Sequence, residues 1–208
     1  MPIIGILGPL GCGKTATLTY LGVLAGEEGR NIFSNYWLAF KHTPVRHPYE
    51  IVNIKSGRLL GDEFWTWASS IAPLRKLQQS LGLVYTRSRK QDWDLCFTTQ
   101  RWKNVHNRLR AITDIVLRPK PYPLNVRTPI GFRVEAIEMS EQCLWRGFKF
   151  QLDWVKDLYN TKADIYGYED ILREAEKTLA KAKVTEFFTG KAPIKDLEEA
   201  VDELKDEL

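Results

Sequence analysis

The sequence predicts an α/β protein of three layers, with a central, mostly parallel sheet between helices and a helical C-terminal tail. Three observations predict it. Residues 3–15 read Ile-Ile-Gly-Ile-Leu-Gly-Pro-Leu-Gly-Cys-Gly-Lys-Thr, an apolar run feeding a glycine-rich loop that opens a helix. Further apolar runs at 31–36, 58–60, 93–99 and 112–117 alternate with helical or basic stretches, as strands of a parallel sheet alternate with their crossovers. From residue 168 the pattern changes to helical periodicity alone, which divides the chain into a domain over 1–162 and an appendage over 163–208.

The elements follow in order. Ile3, Ile4, Ile6 and Leu7 form a buried strand, and 15–24 a helix that ends at the Gly26–Gly29 turn. Residues 31–36 are a second strand, 42–48 a loop with two prolines and two histidines, and 49–54 a short strand or turn. Leu59 and Leu60 end a strand before Gly61-Asp62-Glu63. Residues 64–81 read as a helix interrupted near Pro73, with Phe64, Trp65 and Trp67 as core rather than a base-stacking platform, and 86–91 as a basic loop. Trp93 to Thr99 is the best-formed strand after the first, and Gln100 stands at its tip. Residues 101–110 read as a helix, 112–117 as a strand and 120–129 as a proline-rich loop. Residues 132–139 alternate as an amphipathic edge strand does, and 146–154 alternate beside them. Residues 153–159 turn helical. Ile171, Leu172, Ala175, Leu179 and Ala182 share one helical face. Ile194, Leu197, Val201, Leu204 and Leu208 recur at heptad-like spacing, too briefly for an independent coiled coil.

Composition narrows the classes. The chain has 208 residues, of which 44% are hydrophobic, enough for a folded domain with a sizeable core. Three cysteines, Cys12, Cys96 and Cys143, are widely spaced without C-x-x-C, which argues against a disulfide framework or a zinc site and for a reducing compartment. No apolar run reaches the roughly 18 residues of a membrane span. The apolar start lacks a basic leader and a cleavage site, so a cytoplasmic protein is expected. The net charge of +4 hides an asymmetry. Residues 1–168 carry 23 Lys and Arg against 14 Asp and Glu, a balance of +9, and residues 169–208 carry 7 against 12, a balance of −5. Within 75–133 the count is 13 basic against 3 acidic, the electrostatic footprint of a nucleic-acid binder. A solvated basic face, or arginines that pair with a nucleotide, would give the same count.

Gly8, Gly13, Lys14 and Thr15 satisfy G-x-x-x-x-G-K-[ST], the P-loop pattern, in the strand–loop–helix setting it requires. Gly8, Pro9, Leu10, Gly11, Cys12, Gly13, Lys14, Thr15 and Ala16 are therefore the expected triphosphate cradle. Glycines let backbone N–H groups turn toward a phosphate, and the helix N-terminus adds its dipole. Lys14 would reach the β- and γ-phosphates of ATP, and the Thr15 hydroxyl would hold Mg²⁺. Asp62-Glu63 after an apolar strand end is a Walker B arrangement, with Asp62 in the Mg²⁺ shell and Glu63 polarising the attacking water. A solvated acidic turn would look the same in isolation, but the P-loop upstream selects the first reading. Gln100, an amide at the carboxyl tip of a strand, can sense the γ-phosphate or position water, since ligands of open α/β sheets sit outside the carboxyl ends of the strands.

The order of these parts carries a resemblance. A P-loop at 8–15, Ser-Asn-Tyr at 34–36, Asp62-Glu63, the Arg-Ser-Arg-Lys loop, a strand ending Thr-Thr-Gln100 and then Asn107-Arg-Leu-Arg110 resemble the FtsK/HerA-like P-loop ATPases. Within them the chain looks most like the compact genome-packaging and Zot-like enzymes of viruses, phages and plasmids. The Asp-Leu-Tyr-Asn-Thr run at 157–161 fits, and the resemblance covers about residues 1–162. It implies a fold of the ASCE/RecA-like kind, ATP hydrolysis between subunits of a homo-oligomeric ring, commonly a hexamer, and double-stranded DNA threaded through the pore. It also implies a possible capsid or portal component as recruiting partner and, for a virus, the host cytoplasm as location. An arginine in trans at the γ-phosphate is implied as well, with Arg89 and then Arg87 as the candidates. Either could instead contact DNA or solvent.

Other readings compete. An ATP-dependent switch or assembly factor would share the nucleotide site without DNA work. A small-molecule kinase is disfavoured by Gln100 and by the lack of an arginine-rich lid. Thr161-Lys-Ala-Asp164 matches a guanine-specificity pattern, but it follows no clean apolar strand. Lys205-Asp-Glu-Leu208 spells a retention signal and reads better as the acidic end of an amphipathic helix.

Overall fold

A computed structural model of the chain describes residues 2–67, 92–123, 129–140 and 143–160. The expected helix beyond residue 67, the basic loop with Arg87 and Arg89, the pattern at 161–164, the boundary at 162 and the helical tail lie outside the described residues.

The described strands are β1 (Ile3–Leu7), β2 (Ile32–Ser34), β3 (Thr43–Pro44), β4 (Ser56–Gly61), β5 (Asp92–Thr99), β6 (Ile115–Tyr122), β7 (Gly131–Glu138) and β8 (Cys143–Gln151). They form one sheet in the order β3-β2-β4-β5-β1-β6-β7-β8. Strands β3 to β6 pair parallel, and β7 and β8 add an antiparallel extension. Strand β5 stands between β1 and β4, so the strand that ends at Gln100 neighbours the P-loop strand and the carboxylates lie one strand further out. The fold is the α/β P-loop class that the sequence predicts.

Strand alternation divides the core in two. Helix α1 (Lys14–Glu27) covers one face, where Ile4, Ile6, Leu60, Cys96 and Leu117 pack with its Ala16, Leu18 and Ala25. Ile3, Leu59, Leu95 and Phe97 point to the other face, against Phe64, Trp67, Val105 and Leu109. Leu109 belongs to helix α2 (Asn107–Ile112), part of the third layer. At the end of the sheet away from the P-loop, Asp94 is buried and accepts from both Arg30 and Arg58. Arg58 also donates to the Leu21 carbonyl at 3.0 Å, which fastens α1 to β4.

Several boundaries differ from expectation. Of the two forms expected at 49–54 the structure has the turn, a 3-10 helix over Pro48–Asn53. The helix expected at 101–110 is a 3-10 turn at Trp102–Asn104 followed by α2, because Val105 is drawn into the core and the His106 ring caps α2 by accepting from the Arg108 N–H. Strand β6 runs on to Tyr122, through Arg118-Pro-Lys-Pro121 that reads as loop. Its β1 pairing stops at Leu117, so from there one flank has no strand partner among the described residues, and Pro119 and Pro121, two residues apart, share one side of the strand. Strand β7 is the middle of the extension and β8 its edge, so the edge position expected for 132–139 falls one strand later. Strand β8 ends at Gln151, and the expected helix at 153–159 shrinks to a 3-10 turn at Leu152–Trp154.

Candidate nucleotide site

The site forms where β1, β4 and β5 end. The P-loop leaves β1, and the Gly8 N–H donates to the Thr99 carbonyl at 3.4 Å, which ties the loop to the tip of β5 beside Gln100. Gly11 and Gly13 have positive φ of 74° and 96°, conformations that side-chain-bearing residues rarely adopt. Gly13 is needed for a second reason. A Cβ there would lie 2.2 Å from the Phe132 ring of β7, which packs directly on the loop. Leu10 at the loop's tip is 77% exposed.

Lys14, Thr15 and Ala16 open α1. Lys14 is buried, with its Nζ donating to the Pro9 carbonyl at 3.2 Å and 3.7 Å from Glu63 Oε1. Thr15 Oγ1 donates to Asp62 Oδ2 at 2.9 Å. The sequence-predicted loop and carboxylate pair are thus brought together from positions 47 residues apart.

Two residues that sequence reasoning left without a role fix these carboxylates. Thr98 Oγ1 donates to Asp62 Oδ1 at 2.7 Å and accepts the Glu63 N–H at 2.7 Å. Asn35 clamps the Asp62 backbone from both sides, its Nδ2 donating to the carbonyl at 2.8 Å and its Oδ1 accepting the N–H at 2.7 Å. Asn35 was visible only as part of Ser-Asn-Tyr, and Thr98 only as the first of two threonines before Gln100. A polar residue at a strand's carboxyl end is the signal that could have found both. Gly61, the departure from an apolar run before Asp62, has a packing cause, since a Cβ there would sit 2.3 Å from the Phe64 ring.

Glu63 has a φ of 40°, the one positive value outside glycine among the described residues. Such a conformation costs on the order of 1–3 kcal/mol and persists only where its surroundings enforce it. Here the Thr98 hydroxyl on the Glu63 N–H and the Thr66 N–H on its carbonyl, at 3.0 Å, do so.

Burial pushes the Asp62 carboxyl up from its ordinary value, against the hydrogen bonds from Thr98 and Thr15 and the Lys14 charge. Residues after β8 return to this place. The Ala39 N–H donates to the Leu158 carbonyl at 2.9 Å, Leu38 bridges Tyr159, and burial followed by the Asp62 charge raises the Tyr159 hydroxyl. Tyr159, within the run at 157–161, therefore lies near Asp62.

Chemically, the loop offers N–H groups and a lysine to an anion. A hydroxyl and a carboxylate oxygen one hydrogen bond apart suit Mg²⁺, which typically takes one or two protein oxygens and completes its shell with substrate phosphates and water. Among the described residues no cluster of three His, Cys, Asp or Glu could hold a metal without a substrate.

The model of the zonular occludens toxin (Zot) family matches residues 47–121. The fold is Zot-like. The match spans Asp62, Glu63 and Gln100, as well as Arg87 and Arg89, while the P-loop lies before it. The N-terminal domain of zonular occludens toxin from Neisseria meningitidis superposes with a TM-score of 0.55 at 17% identity, over 77% of this chain and 100% of that one. B204, the DNA-packaging ATPase from Sulfolobus Turreted Icosahedral Virus, gives 0.48 at 12% identity, over 72% and 97%. The KaiC-like protein PH0186 from Pyrococcus horikoshii OT3 gives 0.46 at 16% identity, over 72% and 85%. Comparison with curated proteins gives no sequence match. Among the described residues no helix is long and apolar enough to cross a membrane.

Proposed function

We propose that the chain is an ATP-hydrolysing motor that translocates double-stranded DNA, in genome packaging by a virus or related mobile element, and acts as a homo-oligomeric ring in the cytoplasm. The observation that carries the hydrolytic part is the Thr15–Asp62–Thr98–Glu63 network under the P-loop. The excess of 13 basic over 3 acidic residues in 75–133 supports the DNA part.

The residues take these roles. Gly8 to Ala16 cradle the phosphates of ATP, and Lys14 turns from Glu63 to the β- and γ-phosphates. Thr15 and Asp62 hold Mg²⁺, which neutralises charge on the phosphate oxygens. Thr98 and Asn35 keep Asp62 aimed, and Glu63 accepts a proton from the attacking water. Gln100 positions that water or reports the γ-phosphate. Arg89, or Arg87, reaches the site of the adjacent subunit, where a trans arginine contributes roughly 10³–10⁵ in rate.

Subunit mixing tests the shared site. Arg89→Ala should bind ATP without turnover, and mixed with Lys14→Ala it should regain activity at hybrid interfaces. No rescue, with Arg87→Ala behaving alike, would move the finger elsewhere.

A second reading with the same nucleotide site is an ATP-dependent switch or assembly factor that does no DNA work. Hydrolysis indifferent to double-stranded DNA at low salt would select it.

A further inference from the structure

The antiparallel extension has two unlike faces. Pro119, Phe132, Val134, Ala136 and Phe150 are buried, and the Phe150 ring stacks on Tyr20 of α1 at 4.6 Å. The alternate residues Arg118, Lys120, Tyr122, Arg133 and Lys149 are exposed on the other face. Register sets Lys120 opposite Arg133 and Arg133 opposite Lys149, a row of three cations across three strands. Arg118 stands opposite Glu135, the one carboxylate among them. Glu135 takes a hydrogen bond from Lys120 at 2.8 Å, and Lys149 Nζ lies 5.4 Å above the Tyr122 ring. Four cations against one anion leave a balance of +3. Among the described residues Arg118, Arg133 and Lys149 have no ion-pair partner.

Like charges directly opposite on a sheet destabilise it, so a face built this way favours binding a polyanion. The row spans about 10 Å at the strand spacing of a sheet. One strand of a DNA duplex carries a charge about every 3.4 Å along the axis, so the row matches about three phosphates. Position adds to this. Leu117 aligns with Ile6 near the end of β1, and the five residues Arg118 to Tyr122 carry the strand about 16 Å further, on the side where the P-loop lies. Arg133 follows Phe132, whose ring packs on Gly13, so the strand that carries the middle of the charged row packs its other face on the nucleotide loop.

We propose that the exposed face of β6, β7 and β8, with Arg118, Lys120, Arg133 and Lys149, is the surface that takes the phosphate backbone of double-stranded DNA. The proposal rests on the DNA-motor reading above. Recognition is by charge and is independent of base sequence.

The test is the salt dependence of binding to a short duplex by the full-length protein. The triple variant Lys120→Gln, Arg133→Gln, Lys149→Gln should bind more weakly to every sequence. Its slope of log affinity against log salt should be shallower by about 2.7, at roughly 0.9 per phosphate contact. Glu135→Gln should change both in the opposite direction. A wild-type protein that binds no duplex at low salt overturns the motor reading and this surface with it. Wild-type binding with the same slope in the triple variant overturns the surface alone. An unchanged slope with a shifted melting temperature assigns the face to a protein surface, such as the acidic residues 169–208, and likewise overturns it.

Discussion

Thr98 donates its hydroxyl hydrogen to Asp62 Oδ1 at 2.7 Å, and with the other carboxylate oxygen taken by Thr15 the acid is held from two strand and helix ends at once. The same Thr98 oxygen accepts the Glu63 N–H, so one side chain orients both carboxylate-bearing residues. Thr98→Val keeps the shape and removes both bonds. Because groups that orient metal ligands typically affect metal affinity or activity 10–100-fold, the Mg²⁺ concentration for half-maximal ATP hydrolysis should rise by about that factor. Thr98→Ser should restore most of it. A magnesium titration of steady-state turnover checks both.

Lys14 and Glu63 should separate binding from cleavage. Lys14→Ala removes the buried ammonium at the P-loop and should lose ATP binding, read by fluorescent-nucleotide titration. Glu63→Gln keeps the size and the backbone bonds. It should bind ATP as the wild type does, and its kcat should fall at least 10²-fold, in the range general-base catalysis contributes. A Glu63→Gln enzyme with unaltered turnover would move the base to another residue.

Much of this arrangement was legible in the sequence because motifs with a fixed mechanism impose local structure. Gly13 and Lys14 after an apolar strand favour a P-loop over an ordinary glycine-rich turn, and Gln100 at a strand tip beside the P-loop followed from the same sheet logic. Three things were not legible. The Asp62 strand reads as two leucines, since Ser56, Gly57 and Arg58 carry no apolar signal, yet it pairs over six residues because β2 and β5 flank it. The passage of β6 through two prolines depends on where its neighbour stops, a tertiary fact. The roles of Thr98 and Asn35 depend on side chains from four elements meeting, which no spacing encodes.

Gly61 should tolerate no side chain. Gly61→Ala places a methyl 2.3 Å from the Phe64 ring, and overpacking of this kind costs about 1–3 kcal/mol. Urea unfolding should show that loss. The double variant Gly61→Ala, Phe64→Leu should recover part of it if the ring is the obstacle.

Burial pushes the Cys96 thiol up to about 12 from an ordinary 9.0. The thiolate is the reactive form, so alkylation of Cys96 in the native protein at pH 8 should be negligible and should appear on unfolding, read by peptide mass spectrometry. The sign for stability follows. Between pH 9 and 12 the native state keeps a proton that the unfolded chain releases, so stability should fall as pH rises through that window.

ATP-driven displacement of a triplex-forming strand from a long duplex reads translocation itself. Displacement should require ATP and Mg²⁺ and be lost in Lys14→Ala and Glu63→Gln. A protein that binds the duplex and hydrolyses ATP yet leaves the third strand in place would contradict the motor reading.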